Sequence, residues 1–128
     1  MSIKYRVIER GEPGVAGGGT KKFYANTVTQ GELDIEELTE RIEKISTVSG
    51  ADIRAVLYAL VDVIPTELDQ GRIVRLGDVG SMRVSISSRG ETTAEEVSSA
   101  SIRGGKIIFS PGRKLKRMLN NLEYSKVE

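Results

Sequence analysis

Ala51-Asp-Ile-Arg-Ala-Val-Leu-Tyr-Ala-Leu-Val-Asp-Val-Ile64 is the stretch on which the fold turns. Apart from Asp52, Arg54 and Asp62, every side chain in it is apolar or is Tyr58. Ser49 stands before it as an N-cap, with Asp52 three residues on, and Gly71 suits a C-terminal cap, so the spacing predicts a helix from about Gly50 to Asp69. Pro65 leaves the Val61 carbonyl without its usual donor, which predicts a kink, or an early end followed by a further turn to Leu68. A helix that is apolar nearly all round must be covered nearly all round. One short amphipathic helix and a small sheet cannot do that, so a second copy of the chain is expected, in an obligate, interlocked homodimer.

Upstream, Ile35, Leu38, Ile42 and Ile45 form one helical stripe. Asp34 caps it and Glu37 lies three residues later, in a capping-box arrangement, which gives a first helix over 35–45. Downstream, Arg72–Leu76 reads as a strand, Gly77–Gly80 as a turn and Ser81–Ser87 as a second strand. Met82, Val84 and Ile86 share its core face, and Arg83, Ser85 and Ser87 its solvent or ligand face. Residues 88–105 are polar and glycine-containing, with Thr93 and Glu96 spaced to cap a helical turn; Glu95 and Glu96 are adjacent and so point apart, unlike a catalytic pair. Lys106–Phe109 returns as a strand, and a last helix is expected from about Arg113 to Leu122. At the N-terminus, 3–8 and 21–29 read as strands joined by the glycine-rich connector Gly11–Gly19, a pattern that suits a hairpin. The expected class is α+β, with an extension over 1–32 and the main domain over 33–128.

The composition removes several functions. The 128 residues include no cysteine and no histidine, so disulfides, thiolate chemistry, Ser-His-Asp arrangements and ordinary zinc sites are excluded. Gly14-Val-Ala-Gly-Gly-Gly-Thr-Lys21 resembles a phosphate loop, but its lysine and threonine are reversed and a strand follows, so it reads as a linker. Residues 37–60 fit a helix-turn-helix poorly, because the second helix offers a DNA groove only Asp52, Arg54 and Asp62. No enzyme, metal, cofactor or small-molecule substrate is expected. No run of some 18 apolar residues exists to span a membrane, and the charged start Met1-Ser-Ile-Lys-Tyr-Arg is unlike a signal peptide, so a cytoplasmic location is expected.

Net charge is only +1, yet it is unevenly distributed. Arg103, Lys106, Arg113, Lys114, Lys116 and Arg117 fall in a stretch with no acid, whereas Glu32–Asp52 carries seven acids against Arg41 and Lys44. The basic end can face phosphate and the acidic end would be repelled by it.

Asp78-Val-Gly-Ser-Met-Arg-Val84 and Phe109-Ser-Pro-Gly-Arg-Lys-Leu115, placed after two helices and on either side of a polar arm, resemble the signatures of the HU/IHF bacterial histone-like DNA-binding family. The resemblance covers about 33–122; residues 1–32 look like the extension of a divergent branch. Val79 and Met82 stand where that family usually carries Phe. The resemblance implies an intertwined dimer with a helical body and a saddle-shaped antiparallel sheet whose β-arms hold the minor groove of double-stranded DNA in the nucleoid. On a DNA-binding reading Arg83, Ser85 and Ser87 are expected on the saddle, the two serines where the family usually carries arginines, Arg89 and Arg103 at the arm base, Lys106 on the returning strand, and Arg113, Lys114, Lys116 and Arg117 beside phosphates; the resemblance itself implies basic residues at Arg113 and Lys116. The arm departs from the family: Arg89-Gly-Glu-Thr-Thr-Ala-Glu-Glu-Val97 has no wedge proline and a negative balance, so weaker, salt-sensitive, sequence-neutral binding with less bending is expected. The alternative is a structural or protein-interaction module that has lost DNA affinity, with an edge strand at 3–8 or 21–29 accepting a partner strand.

Overall fold

The computed structural model describes residues 2–127, which group into two compact units, Asp34–Arg117 and a second made of residues up to Leu33 together with those from Met118 onward. The protein is α+β.

The first of these units opens with α1 (Ile35–Ile45) and α2 (Gly50–Asp69). Both start where their caps dictate. The Asp34 carboxylate accepts from the Glu37 amide at 2.9 Å, and the Ser49 hydroxyl accepts from the Asp52 amide at 3.3 Å. Gly71, at φ 79°, closes α2 by donating to the Leu68 carbonyl at 2.9 Å. The expected early end at Pro65 does not occur, and α2 runs on to Asp69. The helices pack against each other with Arg54 held in a fork by both carboxylate oxygens of Glu36 at 2.9 Å, and with the buried Thr39 hydroxyl donating to the Ile35 carbonyl at 2.7 Å.

A three-stranded sheet completes this unit, in the order β3 (Val74–Arg75), β4 (Gly80–Ser88), β5 (Ile102–Pro111), all antiparallel. The expected strand 72–76 shrinks to two residues. The returning strand is longer than 106–109, because backbone pairing extends through Gly104 and Gly105, whose missing side chains hide the alternation. The basic helix α3 (Arg113–Asn120) ends two residues before the expected Leu122. Residues 89–101 form two short 3-10 turns, Ala94–Glu96 and Ser99–Ser101. Thr93 precedes the first turn as expected, but its hydroxyl lies 3.2 Å from the Glu96 side chain and makes no cap bond to the backbone; the true capping box is Ser98 with Ser101.

The core of a single chain is thin. Among the described residues only Ile53 and Leu68 are buried hydrophobics. The α2 stripe Ile53, Leu57, Leu60, Ile64, Leu68 is buried or half-buried, whereas Val56 (65%), Tyr58, Val61 and Val63 are half or more exposed. On the sheet, Val84 and Ile86 (61%), expected as core, are likewise uncovered, as are Ile107 and Phe109 of the neighbouring strand. A single chain has too little material to cover them.

The second unit is a sheet in the order β2-β1-β6: β1 (Ile3–Arg10) and β2 (Lys22–Val28) form the expected hairpin, with Tyr5 opposite Thr27 and Glu9 opposite Phe23. The third strand, β6 (Tyr124–Lys126), was not legible in the sequence; it lies parallel to β1, with Ile3 opposite Tyr124. The Ile3 amide donates to the Glu123 carbonyl at 2.8 Å and the Val127 amide to the Tyr5 carbonyl at 2.9 Å. β1 is therefore the central strand, which removes residues 3–8 as an edge for a partner; β2 remains one.

Candidate nucleic-acid interface

The β4–β5 ladder separates its chemistry by face. Arg83 pairs with Ile108, Ser85 with Lys106 and Ser87 with Gly104, and directly opposed residues in an antiparallel ladder share a face. Arg83, Ser85, Ser87 and Lys106 thus line one surface, over a shallow depression bounded by Ser85, Ser87, Gly104 and Lys106. Arg83 and Lys106 are exposed. Met82, Val84, Ile86, Ile107 and Phe109 occupy the other surface. Pairing then jumps from Ser87–Gly104 to Ser88–Ile102, leaving Arg103 as the extra residue of a β-bulge, where the strand bends and a side chain is re-aimed.

Arg89 follows the end of β4 and is exposed. Its Nε lies 3.3 Å from Glu91 Oε2, the same oxygen that accepts from the Ser101 hydroxyl at 2.6 Å. Ser101 is buried at 1% exposure and its carbonyl accepts from the Arg89 amide at 2.9 Å. Glu91 thus ties together the two ends of residues 89–101, with the Arg89 side chain beside it.

The start of α3 abuts the start of β4. A recess of about 260 Å³ is lined by Arg75, Ser81, Ser110, Gly112 and Lys116. It brings together two cations, two hydroxyls and the residue preceding α3, a combination suited to a phosphate group. Arg75 was not among the residues expected from the sequence; β3, which carries it, pairs Arg75 with Ser81, and only that pairing brings it beside Lys116. Arg113 Nε lies 3.7 Å from Asp78 Oδ1, both largely exposed. Lys114 and Arg117 are exposed on α3. Among the described residues no group of three or more His, Cys, Asp or Glu side chains could hold a metal ion, and no helix is long and apolar enough to cross a membrane.

The same architecture occurs in a known protein. A crystal structure of a candidate bacterial DNA-binding protein from Bacteroides vulgatus resembles this chain with a TM-score of 0.64 at 14% identity, over 98% of this chain and 48% of that one. This chain thus spans about half the length of that protein, and the likeness concerns the fold. No curated protein matches the chain. The family model described as an HU domain fused to wHTH, Ig, or glycine-rich motif matches residues 1–126. This chain therefore belongs to that HU family.

Proposed function

We propose that two copies of this chain form a non-catalytic dimer that binds double-stranded DNA along its backbone and minor groove, largely without regard to sequence, in an architectural, nucleoid-associated role. The observation that carries this reading is the convergence of cations and hydroxyls on one face of the β4–β5 ladder and in the recess at the start of α3. Such groups contact phosphate oxygens and position a duplex without reading bases. Arg83, Ser85, Ser87 and Lys106 would meet the backbone on the ladder, Arg103 at the bulge, and Arg75, Arg113, Lys114, Lys116 and Arg117 beside it. The dimer is supported by the uncovered Val56, Val61 and Val63 of α2 and by Ile86 and Ile107 of the sheet, which a second copy would bury. The arm, with no proline and with Arg89 engaged by Glu91, favours little bending.

Mobility shifts on a random-sequence duplex at low salt test the reading. Wild type should bind, and R113E/K116E should bind far more weakly. Equal binding by that variant would remove α3 from the interface. The contacts of Arg89 with Glu91 and of Arg113 with Asp78 favour, as a second reading, a protein-interaction module that kept the dimer and lost DNA. Flow-through from heparin at low salt would support that module instead.

A further inference from the structure

The β1–β2 hairpin sorts its side chains as sharply as the β4–β5 ladder does. Lys4, Arg6, Ile8 and Arg10 alternate onto one face of β1, opposite Val28, Asn26, Tyr24 and Lys22 of β2. Four cations therefore share this face. Its strands place no carboxylate there: Glu9 lies on the other face, opposite Phe23. Glu12 of the connecting loop pairs with Lys22, 2.7 Å from its Nζ. The reverse face is mostly apolar, with Ile3, Tyr5, Val7, Phe23 and Ala25.

Arg6 and Arg10 are exposed. The Arg10 guanidinium lies over the Tyr24 ring, 4.5 Å from its centroid, so its plane is already supported before any ligand arrives. Asn26, directly opposite Arg6, adds a hydrogen-bonding group to the same surface. Lys4 is half-buried and donates to the Ser125 hydroxyl at 2.9 Å. Lys4 and Arg6, two residues apart on the strand, stand about 7 Å from one another, and Arg6 and Arg10, four apart, about 13 Å, distances at which they can contact separate phosphates along one backbone. A row of cations on a rigid ladder, with an amide among them and no acid between them, complements a polyanion and offers too few directional groups to read bases.

We propose that this face of the N-terminal sheet is a second DNA-contact surface, in which Arg6 and Arg10, aided by Lys4, Lys22 and Asn26, bind the phosphate backbone of duplex DNA. The inference rests on the DNA-binding reading above and adds to it phosphate-binding groups that α3 and the β4–β5 ladder do not supply. The plainer alternative is a solvated strand face, and the test separates the two.

Fluorescence anisotropy of the full chain on a random-sequence duplex, across a salt series, provides the test. R6Q/R10Q should weaken binding about tenfold at low salt and flatten the log–log salt dependence by about two, since each arginine that neutralises a phosphate adds about one unit to the slope. N26E, which places an acid directly opposite Arg6 while leaving both arginines in the chain, should also weaken binding, and R6K/R10K should keep most of the affinity. Circular dichroism should match wild type for all three. If R6Q/R10Q and N26E bind like wild type with an unchanged slope while R113E/K116E is weakened, the second surface is refuted and the first stands. If wild type itself does not bind, both readings fall.

Discussion

The Gly112 amide donates to the Val79 carbonyl at 2.8 Å, joining the entry of β4 to the entry of α3. Neither flanking glycine has room for a side chain. A Cβ on Gly112 would sit 2.5 Å from the Asp78 carbonyl oxygen and 2.9 Å from the Gly80 nitrogen, and a Cβ on Gly80 would strike the Ser110 carbonyl. Gly80 also holds φ 145°, a conformation L residues rarely adopt. These atoms are backbone and cannot swing aside, although a Cβ on Gly80 would also meet the Phe109 ring at 2.9 Å. Gly112→Ala and Gly80→Ala should each lower the unfolding free energy by about 1–3 kcal/mol, Gly80→Ala the more, as read from urea denaturation. An unchanged midpoint for either would show that the junction yields.

Val56 and Val63 lie on the uncovered side of α2. Val56→Asp or Val63→Asp would place a charge where a second copy is expected to seat, and an unpaired buried charge is strongly disfavoured. Sedimentation should show wild type as a dimer and these variants as monomers or partly unfolded chains, with wild-type stability rising with protein concentration. A folded wild-type monomer of 14.0 kDa would refute the dimer.

Asp78 is the acid beside Arg113, at 3.7 Å and with both groups largely open to water. An exposed pair of this kind contributes little to stability. Asp78→Asn should therefore leave the thermal midpoint nearly unchanged, yet raise DNA affinity about threefold at low salt by removing a negative charge near the backbone. A loss of affinity would mean that Asp78 orients Arg113 and does not compete with phosphate.

Glu91 Oε2 is shared by the Ser101 hydroxyl and Arg89. Glu91→Ala would leave the buried Ser101 hydroxyl without that acceptor and release Arg89. Amides of 89–101 should then exchange with solvent faster while those of α2 keep their protection, and cleavage in this segment should accelerate. Uniform protection across the variant would show that the two 3-10 turns hold without the carboxylate.

The helices were legible almost to the residue, because Asp34 and Ser49 start them chemically and Gly71 stops α2. At Pro65 the helix continues past the missing donor to Asp69, the bound expected from its caps, and the early end offered as one alternative does not occur. The β5 strand was under-read where Gly104 and Gly105 carry no pattern and Arg103 breaks the alternation. β6 left no signal at all, since Tyr124-Ser-Lys126 is too short to show a period. At the interface, Arg83, Ser85, Ser87 and Lys106 follow from strand alternation, which a sequence displays. Arg75 does not, because its nearness to Lys116 arises from pairing between separate strands. Lys4 and Arg6 fall within the expected strand 3–8, but Arg10 lies beyond it, and that the three share a face with Lys22 and Tyr24 required the longer β1 and the hairpin register.

The pairing of Ile3 with Tyr124 joins two segments that are far apart along the chain. During synthesis, β1 and β2 leave the ribosome before residues 124–126 and can close their hairpin at once, while the other edge of β1 waits until those residues have emerged. Until β6 arrives, that edge displays unpaired amides and carbonyls beside Ile3 and Tyr5, a template open to a neighbouring nascent chain. Completing this small sheet is thus a late, long-range closure, of the kind that slows folding.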